Sequence, residues 1–340
     1  MYEKEKYKFK KMKYIFLGLM MTILICTIAY LFQIGISQLL SELKVFENGF
    51  DFFYLFPEEY FITIQQYYFS ITLFCLYMII NSKILNKYNL KENIWEKKKI
   101  KVFPLSLLVG SLLAGIVALL IILSQGMHMD YATDFIGMNV VVKRMGALLL
   151  FGIAICCICY AFFQKYLCQK LSPGISFMLV GFVFCLLHFE LIIDLDVYRH
   201  ALVPVNYFLS VAFYIKVLNT FLLSMLLSLI YLEYQNLWMI SGFYVGWQIF
   251  MFQICGVGAY GEFGDGISDG IIRFGYDLYD SEMGYYTYDF KFTDYFTGGM
   301  QGINAGIAMS IVLLIGIAVL CGFVRKRKES MDNDRNGEND

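Results

Sequence analysis

Long apolar runs alternate with shorter polar segments along the chain. A helix needs about 20 mostly apolar residues to cross a bilayer, and eight runs are long enough. They lie at residues 14–37, 66–86, 104–124, 143–164, 175–193, 217–234, 237–256 and 303–324. The pattern predicts an all-α fold, a polytopic transmembrane helix bundle with about eight spans.

Two aromatic-rich stretches between these runs predict segments that lie along the membrane interface. They are residues 48–63 and residues 201–215. Aromatic side chains concentrate at the interface because their polar edges stay in contact with water. The paired carboxylates Glu58 and Glu59 fall in the first stretch, so we expect them to be solvated in an interfacial loop.

The distribution of charge predicts the orientation of the spans. Lysine-rich segments occur at 4–13, 83–101 and 325–328, and positive residues near span ends favour the cytoplasm. Eight spans then place both termini in the cytoplasm. The acidic, glycine-rich segment 257–302 is expected to be a flexible outer loop, and the charged tail Lys326–Asp340 is expected to be disordered.

Composition narrows the class of protein. Only 16% of the residues are charged and 59% are hydrophobic, whereas a soluble chain carries about 25% charged residues. With a net charge of −1 and no basic aromatic face, we expect no nucleic-acid partner. The bilayer is the first expected partner, in a multi-pass membrane protein. Lys143, Arg144 and Lys216 lie near span ends, where long side chains can reach the interface.

His188 is the one histidine inside an apolar run, and it follows Phe184 by one helical turn. A titratable ring at bilayer depth usually has a partner or a function. A histidine that is hydrogen-bonded to a neighbouring helix is the plainer interpretation. The nine cysteines have no spacing typical of metal ligands, so we expect them to act as small hydrophobic residues.

The segments around His188 follow a recognisable order. Tyr160 and Gln164 end the fourth run, Phe184 and His188 lie in the fifth, and the seventh opens with Leu-Trp and carries Tyr244 and Gln248. This succession resembles the CPBP family of intramembrane proteases, which includes CAAX prenyl proteases and Abi-type proteins linked to bacteriocin self-immunity. The resemblance covers roughly residues 143–256.

The resemblance implies a site in which most catalytic residue types are replaced. The family motif E-E-x-x-x-R falls on Cys159, Tyr160 and Gln164, and the motif H-x-x-x-N falls on Tyr244 and Gln248. Only F-x-x-x-H is intact, at Phe184 and His188. In the family a glutamate is thought to activate water, but the Tyr160 phenol keeps its proton at neutral pH. Cys159 could act as a nucleophile beside His188, although apolar surroundings disfavour a thiolate.

The resemblance divides the chain into four parts. These are the N-terminal spans with their loops, the protease-like core, the acidic outer loop, and the last span with its tail, at residues 1–142, 143–256, 257–302 and 303–340. The small-residue pairs Ser224/Ser228 and Gly302/Gly306 predict close contacts between helices.

Three functions stay open. The first is a catalytically degenerate member of the family that binds a peptide or membrane-protein substrate or toxin in bacteriocin self-immunity or processing. The second is an active endopeptidase in which Glu190 or Glu233 supplies the carboxylate. The third is the membrane subunit of a transporter, which would need intramembrane charges or broken helices. No cofactor is expected, and a divalent metal is conceivable only if His188 finds a carboxylate partner.

Overall fold

A computed structural model describes most of the apolar part of the chain. The described residues are 15–31, 58–86, 94–124, 128–131, 138–188, 211–255, 272–275, 279–280, 285–286, 296–297 and 303–337. Within them the chain is mainly helical, with two short pairs of strands.

The described residues contain ten α-helices, of which eight overlap the predicted apolar runs. The ten helices are α1 (Ile15–Leu31), α2 (Glu58–Ile80), α3 (Lys97–Ile100), α4 (Phe103–Leu123), α5 (Met138–Cys156), α6 (Lys165–Cys168), α7 (Pro173–Leu187), α8 (Val211–Tyr234), α9 (Leu237–Gln248) and α10 (Ile307–Gly337). Three π-helical segments continue α2, α5 and α9, at Asn81–Leu85, Cys157–Gln164 and Ile249–Ile254.

Five helical stretches of the described residues are long and apolar enough to cross a membrane. They are Lys97–Leu123, Val141–Cys168, Phe213–Tyr234, Leu237–Ile254 and Ile307–Arg327. Helices α1 and α7 are apolar but shorter. Large apolar side chains stay exposed along α4 and α10, including Leu108, Leu112, Leu314 and Val319. A helical membrane protein presents such faces to lipid. The total of eight spans and the side of the termini stay predictions.

The strands were not predicted from the sequence. His128–Tyr131 (β1) pairs antiparallel with Ile272–Gly275 (β2), and Tyr279–Asp280 (β3) pairs with Tyr285–Tyr286 (β4). β2, β3 and β4 fall in the segment that we expected to be a flexible outer loop.

The chain forms two compact units, each built from separate stretches. The first unit is Met1–Gly110, Ile136–Val180 and Leu237–Ile249. The second unit is Ser111–Phe135, Gly181–Asn236 and Phe250–Asp340.

In the first unit, helices α2 and α5 run parallel. The hydroxyl of Tyr67 donates to the carbonyl oxygen of Lys143 at 2.7 Å, and further along both helices the rings of Phe69 and Phe151 lie 6.4 Å apart. Helices α4 and α9 also run parallel, since Gly242 lies against Phe103 and Gly246, one turn later, lies against Leu107. These directions are the ones expected if the predicted spans alternate across the membrane.

In the second unit, α7 and α8 run antiparallel while α8 and α10 run parallel. The thiol of Cys185 lies 3.8 Å from the carbonyl oxygen of Val217, and Gly181, one turn earlier, lies against Phe221, one turn later. Near the far end of α8, Glu233 forms an ion pair with Arg327 of α10. This order also agrees with alternating spans.

Only part of each predicted interfacial stretch lies within the described residues, and that part is helical. Residues 58–63 form the first turns of α2, and residues 211–215 form the first turn of α8; residues 48–57 and 201–210 lie outside the described residues. Glu58 and Glu59 therefore begin a helix and do not lie in a loop. Acidic residues are favourable in that position because a helix N-terminus carries a partial positive charge.

The prediction of a disordered tail is wrong over most of its length. Helix α10 continues to Gly337, and only residues 338–340 lie outside the described part. Lys, Arg, Glu and Met all have good helix propensity. The ion pair of Arg327 with Glu233 also holds this part of α10 against α8.

Candidate functional site

Four of the five predicted site residues belong to the first unit, and all four are buried. Tyr160 and Tyr244 are 0% exposed, Gln164 is 1% exposed and Gln248 is 6% exposed. Tyr160 and Gln164 lie on the π-helical segment Cys157–Gln164, which packs against α9. A second π-helical segment starts immediately after Gln248. Such segments are rare and frequently occur at functional sites.

The polar cluster of this unit is formed by Tyr244 with its hydrogen-bonded neighbour Gln248, and Tyr244 is its centre. Its hydroxyl accepts a hydrogen bond of 2.8 Å from Nε2 of Gln248, one helical turn later. Its neighbours on the facing helix are the thiols of Cys156 and Cys159. The structure thus brings two of the aligned motif positions together, because Cys159 faces Tyr244.

The cluster contains a hydrogen-bond acceptor that no described residue satisfies. Oε1 of Gln248 is buried, and it has no partner among the residues that the structure describes. Gln253, on the following π-helical segment, also has a buried Oε1 without a described partner. A buried polar atom of this kind usually has a water or ligand partner.

Close contact between α4 and α9 was missed from the sequence. A methyl group at Gly246 would overlap the carbonyl oxygen of Leu107, and one at Gly242 would lie 2.6 Å from the carbonyl oxygen of Phe103. The signal was present, because Gly242 and Gly246 form a G-x-x-x-G pair that allows two backbones to approach closely. This contact fixes the helix that carries Tyr244.

His188, the fifth site residue, belongs to the second unit and is 3% exposed. Its ring stacks on Phe184 with centroids 4.1 Å apart, as expected for residues one turn apart. Nδ1 lies 2.7 Å from the carbonyl oxygen of Phe184. Since a carbonyl oxygen can only accept, Nδ1 carries a proton. This hydrogen bond closes the end of α7 within its own helix, so the plainer interpretation, a hydrogen bond to a neighbouring helix, stays a prediction.

The second unit also holds a polar cluster that the sequence did not indicate. Nδ2 of Asn219 donates to the carbonyl oxygens of Asn304 and Gly306 at 2.8 and 2.9 Å. Oδ1 of Asn219 accepts from the hydroxyl of Ser310 at 2.6 Å. Asn219 thus ties α8 to the 3₁₀ turn Ile303–Ala305 that precedes α10.

Lys216, one turn before Asn219 on α8, is also buried. Its side chain is 1% exposed, so the prediction that it reaches the interface is wrong. The spacing of three residues places it on the same face as Asn219, toward the interior of the unit. That spacing was the signal that the sequence offered for a buried polar pair.

Glu233 cannot supply a carboxylate to His188. Cys185, three residues before His188, contacts Val217 near the start of α8. Glu233 lies 16 residues further along α8, which is about 24 Å at 1.5 Å per residue, and it is paired with Arg327. Glu190 lies outside the described residues. Among the described residues, no group of three or more His, Cys, Asp or Glu side chains could hold a metal ion.

Comparison with protein-family models, with curated proteins and with solved structures finds no match to the chain.

Proposed function

We propose that the chain is a CPBP-like integral membrane protein that binds a peptide without cleaving it, in self-immunity to a bacteriocin-type peptide or in its processing. The observation that carries this proposal is the burial of Tyr160, Gln164, Tyr244 and Gln248 in the first unit, where Gln248 is hydrogen-bonded to Tyr244. These residues occupy the aligned family positions, and all of them are neutral.

The residue types favour binding over hydrolysis. Activation of a water for peptide hydrolysis needs a base, most often a carboxylate or a histidine. The chain has no Asp or Glu from residue 138 to 188 or from 234 to 255. The cluster can therefore donate and accept hydrogen bonds, but it offers no carboxylate base.

A peptide suits the cluster because its backbone amides can form hydrogen bonds with these side chains. The buried Oε1 of Gln248 can accept a backbone N–H, and glutamine and tyrosine side chains both donate and accept. In an apolar environment a peptide loses its hydrogen bonds to water, so a site must replace them. The cluster does this with groups that add no net charge to the bilayer.

The first test is protection of a sensitive bacterium that expresses the full chain. A panel of purified bacteriocin-type peptides is applied, and we expect the inhibitory concentration of at least one to rise by fourfold or more. The variant Tyr160→Phe/Tyr244→Phe removes two buried hydroxyls and should abolish protection. The matched control Tyr77→Phe removes a buried hydroxyl from α2 and should keep it. Equal protection by both variants, or no protection by the native chain, would contradict the proposal.

The second test concerns the absence of hydrolysis. The purified chain in liposomes is mixed with a farnesylated CAAX-type peptide and with the peptides of the panel, and cleavage is followed by mass spectrometry. We expect no cleavage products from the native chain or from His188→Ala. Cleavage that disappears in His188→Ala would overturn the non-hydrolytic part of the proposal and favour the active endopeptidase.

A transporter subunit is the second candidate, and one observation favours it. Lys216 is buried in α8 beside Asn219, which binds the carbonyl groups of the turn before α10. Buried cations and interrupted helices occur along substrate pathways in transporters. The test is uptake of labelled anions into liposomes that contain the chain. Uptake by the native chain that is lost in Lys216→Gln would support this candidate over peptide binding.

A further inference from the structure

A group of lysines stands at the start of the helical stretch Lys97–Leu123. Lys97, Lys98 and Lys101 are exposed, while Lys99 pairs with Glu96 at 3.7 Å. Lys97 and Lys101 are four residues apart, so their ammonium groups share one face and repel each other. The exposed surface of this turn is therefore strongly positive.

The turn is held in place by aromatic contacts. Nε1 of Trp238 donates to the carbonyl oxygen of the buried Ile94 at 2.6 Å. The ring of Trp95 lies 6.3 Å from the ring of Trp238, which in turn meets Phe103 edge-on at 5.9 Å. Trp95 itself is 60% exposed. The exposed indole of Trp95 thus lies two residues before the exposed Lys97, on a backbone that the hydrogen bond from Trp238 holds in place.

The exposed indole and the exposed lysines together indicate the kind of partner that this surface binds. Tryptophan concentrates where apolar chains meet headgroups, and lysines next to a membrane span attract anionic lipids. A soluble phosphate would use the charge but would gain nothing from an exposed indole at the head of an apolar helix. We propose that Trp95, Lys97, Lys98 and Lys101 form a binding surface for the headgroups of anionic phospholipids.

The test compares lipids of different charge on the purified full chain. Spin-labelled phosphatidylglycerol and phosphatidylcholine are exchanged into nanodiscs, and their relative association with the protein is measured. We expect the native chain to prefer phosphatidylglycerol and Lys97→Gln/Lys98→Gln/Lys101→Gln to lose this preference by roughly tenfold or more. The matched control Lys83→Gln/Lys165→Gln/Lys170→Gln removes three charges elsewhere and should keep it.

Two further measurements separate the alternatives. Trp95→Ala should weaken the association of both lipids, because an indole packs at the boundary between acyl chains and headgroups whatever the headgroup charge. Inorganic phosphate should displace phosphatidylglycerol no better than sodium chloride of equal ionic strength. If the triple variant does not fold, Lys98→Gln alone should lower the preference several-fold. Any of three results would overturn the proposal. The control variant could lose the preference for phosphatidylglycerol as fully as the lysine variants do. The native chain could show no such preference, or phosphate could displace the lipid specifically.

Discussion

Replacing Gln248 by leucine separates a role in ligand binding from a role in helix packing. The side chain is 6% exposed, and its Oε1 has no partner among the described residues. Its Nε2 donates to the hydroxyl of Tyr244 at 2.8 Å. Leucine fills a similar volume without either polar atom. If the residue only packs helices together, leucine should serve at least as well.

The structure sets the expected magnitudes. Loss of the hydrogen bond to Tyr244 costs about 0.6–1 kcal/mol in a membrane protein. Removal of a buried acceptor without a partner returns about 1–3 kcal/mol. The free energy of unfolding should therefore stay level or rise by about 2 kcal/mol. A peptide that donates to Oε1 would lose about 1–2 kcal/mol of binding, so its Kd should rise roughly five- to thirtyfold.

Two assays on the same variant decide the matter. Unfolding in increasing SDS gives the stability, and the protection assay with the peptide panel gives the function. Gln253→Leu is the matched control, because it removes another buried Oε1 without a described partner from the segment after α9. We expect both variants to keep their stability and only Gln248→Leu to lose protection. A marked loss of stability in Gln248→Leu, or full protection despite the change, would refute the reasoning.

Three further predictions concern stability, measured by unfolding in SDS. Gly246→Ala should destabilise by about 1–3 kcal/mol, because the methyl group meets backbone, whereas Gly322→Ala, with no atom within 4 Å, should change stability little. Asn219→Leu should cost about 2–3 kcal/mol, since it removes three buried hydrogen bonds of about 0.6–1 kcal/mol each. Arg327→Ala should cost less than about 1 kcal/mol, because its pair with Glu233 is exposed and salt weakens such pairs; a larger loss would point to a buried role.

The apolar runs of the sequence predicted where most helices lie, but they predicted poorly where those helices begin and end. The apolar run at 104–124 became α4 at Phe103–Leu123 because burial in lipid or protein decides the centre of a span. Helices α2 and α8 begin earlier than expected, since polar and aromatic residues at a helix start add no apolar signal. Strand β1 pairs with β2, which follows it by more than 130 residues, and no local pattern reports such a pairing.

The sequence predicted the burial of the site residues more readily than the residues that they contact on other helices. The position of Tyr244 one turn before Gln248 implied a shared face, and the structure joins them by a hydrogen bond. The contact of Tyr244 with Cys156 and Cys159 depends on how α5 and α9 pack, which the sequence of either helix alone does not determine. The same limit explains why the interior position of Lys216 was missed. A lysine near a span end reaches the interface only if its face of the helix is open.

The proposed loss of catalysis would leave the fold intact, because the residues at the aligned catalytic positions are neutral. Buried glutamates and an arginine carry a desolvation cost that their attraction only partly offsets, and neutral replacements of similar size are often as stable or more stable. In this chain the close approach of α4 and α9 depends on Gly242 and Gly246, and it needs no charge. Substitution of the acidic and basic positions by Cys159, Tyr160 and Gln164 would then remove catalysis without weakening the bundle.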